Sequence, residues 1–189
     1  MLKSSLLALA ITVAATLPAF AHLDPAEHGS LAAGFSHPLF GLDHILAMVA
    51  VGLWAAQLGG RATWLVPTAF VGTMTAGFFA GMAGLSLPFV EPTILSSVVV
   101  LGLLVAASVR LPVALSATLV GVFALFHGHA HSAELGSAGA LAFGAGFAAS
   151  TAMLHALGVG LGLSLGRYQA VARLLGAGTA VAGLALMAG

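Results

Sequence analysis

HPLFGLDHILAMVAVGLWAAQ (His37–Gln57) decides the fold. From Ile45 to Ala56 every residue is apolar. A stretch of this kind, about 20 residues long, is what a helix needs to cross a bilayer core of about 30 Å. Yet the same stretch opens with His37, Asp43 and His44. Ionisable groups are costly inside a membrane span, and where they occur they mark function.

The rest of the chain repeats the apolar half of this pattern. Of its 189 residues, 60% are hydrophobic and 5% are charged. A soluble domain carries about 25% charged residues, so the chain reads as a membrane protein in contact with lipid. Five bases balance five acids, which excludes the basic surface of a nucleic-acid binder. There is no cysteine, and therefore no disulfide or thiolate metal site. Eight histidines outnumber all the acids together.

The N-terminus has the layout of a secretory signal. Lys3 precedes the apolar core LLALAITVAATL, and Ala19-Phe20-Ala21 gives a small-x-small cleavage site. Residues 1–21 are thus expected to be removed, leaving residues 22–189 as one membrane domain. Six apolar runs follow, at about 38–57, 63–82, 92–109, 112–131, 138–164 and 168–188. Helices satisfy their own backbone hydrogen bonds, so the expected fold is all-α, a polytopic bundle of six transmembrane helices. The connections are short, and neighbouring helices should run antiparallel. If residue 22 lies in the periplasm, alternation puts Arg61, Arg110, Arg167 and Arg173 on the cytoplasmic side. Asp24, Glu27, Asp43, Glu91 and Glu134 fall on the other side. Trp54, Trp64 and Tyr168 sit where a cytoplasmic aromatic belt would be. The location expected is therefore the inner membrane of a bacterium. Rows of small residues four apart, Gly158-Gly162-Gly166, Gly144-Ala148-Ala152-Ala156 and Gly77-Gly81, predict close helix packing. A homo-oligomer is compatible with the sequence.

The fourth run ends in FHGHAHSAELG (Phe126–Gly136), at the same membrane face as His37 and His44. His127 and His131 are four apart and share one helical face, which Glu134 extends. Two imidazoles at this spacing can chelate one metal ion. His129 points elsewhere and reads, like His28, as a histidine satisfied by carbonyls or headgroups. Pro38 suits a first helical position, which makes His37 a cap or loop residue. His37 then shares an ion with His44 only by folding back. His155 lies deeper, either as a waypoint or as a core histidine bonded to a neighbouring helix. His22, as a mature N-terminus, would add its imidazole and α-amine, with Asp24, Glu27 and His28 nearby. Met48 and Met153 read as apolar filler. Nitrogen and oxygen donors without thiolate suit nickel, cobalt, zinc or copper(II), and ligand type alone does not choose among them.

HPLFGLDH and FHGHAHSAELG resemble the two signature segments of the HupE/UreJ family of nickel permeases. The pattern is a histidine, five residues and Asp-His, then Phe-His-Gly-x-Ala-His-Gly-x-Glu in a later helix. The signal and six spans are similar too, so the resemblance covers the whole chain. It implies a metal site at His37, Asp43, His44, His127, His131 and Glu134. It also implies uptake of Ni2+ in support of hydrogenase or urease maturation; Co2+ or Zn2+ stay open as cargo on donor type alone. Ser132 stands where the pattern has glycine.

Three mechanisms compete on these residues. A permease would strip water from a periplasmic ion and release it inward. No GxxxxGK[ST] loop is present, so the sequence gives no sign that the chain itself uses ATP. An intramembrane zinc hydrolase would use the same ligands to activate water. A metal sensor or store would bind without flux. The resemblance favours the permease, which is not an enzyme.

Overall fold

The computed structural model describes residues 30–132 and 139–189. The expected signal (1–21), His22, Asp24, Glu27, His28 and Glu134 lie outside the described residues. The described chain is all helical: α1 Leu31–Phe40, α2 Leu42–Leu58, α3 Ala62–Met82, α4 Val90–Ala107, α5 Val113–Ala130, α6 Ala140–Ser164 and α7 Gln169–Ala188. Helices α3 to α7 are each long and apolar enough to cross a membrane. Helices α1 and α2 reach that standard only when taken together, and they meet at a bend of 84°. The molecule is a multi-pass membrane helix bundle.

That bend corrects the expectation for the first run. Pro38 does not begin a helix; it lies inside α1, whose start is capped by Ser30 Oγ accepting from the Ala33 N–H at 3.0 Å. Proline has no N–H to give the turn before it, so the helix end is weakened. The chain leaves α1 two residues later, with Gly41 extended at φ −86°, ψ 113°. A Cβ at Gly41 would lie 2.9 Å from Asp43 Oδ1 and 3.1 Å from His44 Nδ1, so glycine leaves room for that pair. Non-helical backbone at membrane depth is tolerated only where protein or a cavity covers it.

Packing partners come together through glycine. A Cβ at Gly34 of α1 would run into the Phe143 carbonyl of α6, and one at Gly146 into the Leu31 carbonyl. Gly52 and Gly158 join α2 to α6 in the same way, Gly77 and Gly128 join α3 to α5, and Gly102 and Gly176 join α4 to α7. Lipid offers no hydrophobic drive for helix association, so such backbone proximity supplies dispersion contact instead. The expected rows are only partly of this kind. Gly158 and Gly162 meet α2, and a Cβ at Gly144 would meet the Phe78 ring at 3.2 Å. Ala152 and Ala156, however, are exposed along a groove beside α3.

Trp54 also departs from expectation. It is fully buried and its indole N–H donates to the Val109 carbonyl at 2.8 Å, so it is a core residue rather than part of an aromatic belt. Trp64 and Tyr168 do remain exposed. Arg61, Arg110 and Arg167 lie in the connections at one end of the bundle, and Arg173 in the first turns of α7. Asp43 and Glu91 begin α2 and α4 at the other, histidine-bearing end.

Candidate metal centre

The bend between α1 and α2 creates the site. The Gly34–Gly146 crossing holds α1 against α6, so His37, one turn on, meets His131 with ring centroids 4.4 Å apart. Past Gly41, α2 starts afresh and carries Asp43 and His44 in its first turn. Carboxylates are favoured there by the helix dipole. From the other side, α5 brings His127 in its last turn and His131 directly after it.

His44 lies between these two. Its ring centroid is 4.9 Å from His127 and 4.9 Å from His131. Its Nε2 is 3.0 Å from His131 Nε2, and its Nδ1 is 3.2 Å from Asp43 Oδ1. His44, His127 and His131 are all buried, and His37 is half-buried. Phe147 packs on the rings of His37, His44 and His131, with centroids 5.0–6.3 Å away. The four expected histidines and Asp43 are thus brought together from both signature segments.

Hydrogen bonding fixes which nitrogens are free. An ionised carboxylate only accepts, so His44 donates Nδ1–H to Asp43 and keeps its lone pair at Nε2. That lone pair receives the N–H of His131. Ser97 spends its one proton on the Ile94 carbonyl at 2.6 Å. It therefore accepts from His127 Nε2–H at 2.9 Å. His127 Nδ1 is left as a buried lone pair without a hydrogen-bond partner among the described residues. Metal-binding imidazoles typically have their other nitrogen held by an outer acceptor in this way.

The cluster borders a pocket of about 370 Å³ lined by His37, Asp43, His44, Glu91, Ile94 and His131, among others. Glu91 is the residue that sequence reading missed as a site candidate. Its signal was present, an acid at the head of a span and at the same end as Asp43, but it entered only the count of charges by side. Among the described residues, no three His, Asp or Glu side chains stand arranged around one ion. What is preformed is the His44–His131 pair, with His37 and His127 flanking it.

His129 falls outside the cluster, as expected. Its Nε2 donates to the Leu85 carbonyl at 2.7 Å. Ser132 gives its hydroxyl proton to the His129 carbonyl at 2.7 Å, so the residue that departs from the family pattern helps close the turn after α5. His155 stands apart, deeper along α6, and Met48 is core.

The family model described as HupE / UreJ protein matches residues 9–186. Protein HupE of Rhizobium leguminosarum bv. viciae is 50% identical to this chain over 181 residues, 93% of this chain and 94% of the relative. No solved structure matches. With both signature segments in place and the likeness running almost end to end, the chain belongs to the HupE/UreJ family.

Proposed function

We propose that the chain is a permease that takes divalent nickel, with cobalt as related cargo, from the periplasm across the bacterial inner membrane. Residues 1–21 serve as its cleaved signal, and residues 22–189 form the transporting domain. The reading is supported above all by one contact, His44 Nε2 facing His131 Nε2 at 3.0 Å beside Asp43. Nitrogen and oxygen donors without thiolate suit nickel(II) among other divalent ions, and the resemblance to nickel permeases selects nickel among them. To bind an ion at both Nε2 atoms His131 takes its other tautomer, with its ring proton on Nδ1, so that both imidazoles stay neutral and both Nε2 lone pairs face the ion. His37 and His127 are the next donors in reach, and Glu134 and the His22 terminus are the donors outside the described residues. The four arginines beyond the leader all fall on the side that the positive-inside rule makes cytoplasmic when spans are counted from a periplasmic residue 22. Nickel delivered in this way would supply the maturation of a hydrogenase or urease.

Asp43 acts through His44 by holding its tautomer. Asp43→Asn is therefore expected to weaken nickel affinity by about 10–100-fold, the usual cost of losing an outer-shell partner. Calorimetric titration of the purified protein checks this, and an unchanged affinity contradicts the role.

The reading itself is tested by radioactive nickel accumulation in cells with and without the chain, at external pH from 5 to 8. Protons and metal compete for the same imidazole lone pairs. Accumulation is expected only with the chain, and it should fall as external pH is lowered toward 5, because each proton taken up by a ligand imidazole removes a lone pair from the ion. Accumulation that needs no chain, or that is flat across this range, contradicts it.

A further inference from the structure

His155 is buried in α6. Its Nδ1 is 2.8 Å from the Met48 carbonyl of α2. A carbonyl cannot donate, so the proton is on Nδ1 and the lone pair is on Nε2. Nε2 is buried and has no hydrogen-bond partner among the described residues. A buried acceptor left unpaired costs free energy, and this one lies within a membrane span.

Its surroundings connect it to the outer cluster on one side and to open space on the other. Phe70 of α3 touches both His127, at 5.7 Å between ring centroids, and His155, at 5.0 Å. His127 and His155 therefore flank one aromatic ring, each with a lone pair fixed by an outer acceptor. One turn before His155 on the same face, the Thr151 hydroxyl donates to Met74 Sδ at 3.6 Å. Beyond, His155 lines a groove of about 730 Å³ between α3 and α6, which runs past Thr68 and Ala156 to Thr63 and Gly160 near the arginine end. Because Nδ1 is turned to α2, Nε2, on the far edge of the ring, is turned away from it.

We propose that His155 Nε2 is a second, inner metal-accepting station, which takes a divalent transition-metal ion arriving past Phe70 and hands it to the groove between α3 and α6. This rests on the permease reading. The station has one imidazole with hydroxyl and thioether neighbours, and no carboxylate. Such a donor set holds an ion more weakly than the outer cluster, as a release step needs. No proton or bond other than the metal–ligand bonds changes in the transfer.

The test uses His155→Asn in the full chain. The asparagine amide still donates to the Met48 carbonyl but carries no nitrogen lone pair at the Nε2 position. Expected are parent-like melting and nickel affinity for the purified variant, with nickel flux into proteoliposomes reduced at least tenfold. Flux within twofold of the parent overturns the inference, because a purely structural histidine is rescued by asparagine. No flux in the parent itself overturns the permease reading and the inference with it. A second measurement does not depend on that variant folding. Since the chain has no cysteine, Ala156→Cys in the groove provides a single thiol. Nickel is expected to slow its alkylation by a membrane-permeant maleimide at least threefold, and to do so less than 1.5-fold when His44 is also changed to alanine to block delivery. Equal slowing in both, or none in either, overturns the inference.

Discussion

Replacing His44 by alanine is expected to lower the nickel affinity of the purified protein by about 100-fold or more and to abolish accumulation in cells. The expectation follows from the position of this ring. It ties the two signature segments by a hydrogen bond, accepting from His131 at Nε2 while its Nδ1 donates to Asp43. It also lies between His131 and His127, against both rings. Losing an outer-shell partner alone costs about 10–100-fold, and losing the ligand it orients costs more. His129→Ala is the matched control. That ring bonds the Leu85 carbonyl outside the cluster, so affinity should stay within about twofold, less than the cost of losing even an outer partner. Equal losses in the two variants would mean that histidines near this face act without the geometry described.

The second large effect comes from a residue with no chemistry. Gly128 lies between His127 and His131 on α5, and a Cβ there would meet the carbonyl of Met74 and the backbone nitrogen of Phe78 on α3. Backbone atoms of a packed helix cannot turn aside as a side chain can. Gly128→Ala is thus expected to push α5 from α3, destabilise the protein by about 3 kcal/mol, the upper part of the overpacking range, and displace both histidines. Metal affinity and melting temperature should fall together. Gly178→Ala makes the same change on α7, where a Cβ meets nothing within 4 Å. There the helix propensity of alanine should leave the protein as stable or about 1 kcal/mol more stable. Thermal melts of the two variants side by side check this, and similar melting temperatures contradict the packing account.

Much of the bundle was legible because lipid makes a simple demand on sequence. The run expected at 63–82 is α3, Ala62–Met82, and that at 112–131 is α5, Val113–Ala130. Glycine, proline or arginine bounds each, and such residues end a span. The residues gathered in the candidate site were legible as candidates for a related reason, since ionisable groups such as His44 and His127 are costly in apolar runs. The break at Gly41 was not legible. Proline at 38 looks like a helix start, and although Pro38 and Gly41 permit a break, neither fixes its angle of 84°. The bend is imposed by contact across more than a hundred residues, Gly34 on Phe143 and Gly146 on Leu31. It also removes the difficulty of His37 and His44 being too far apart along one helix, because they are on different helices. Trp54 was misplaced because local position suggested a belt residue, whereas packing of α2 against the end of α4 makes it a core residue. Glu91 was placed at the correct end of the bundle, and what its position did not show is that, though exposed, it lines the same pocket as Asp43.

The account depends on imidazoles from the two signature segments sharing one ion. The direct measurement is anomalous diffraction at the nickel edge from crystals of the nickel-loaded protein. The account predicts a peak within about 2.1 Å, an ordinary imidazole–metal bond, of both His44 Nε2 and His131 Nε2. A peak bound elsewhere, or on only one of these two rings, contradicts it.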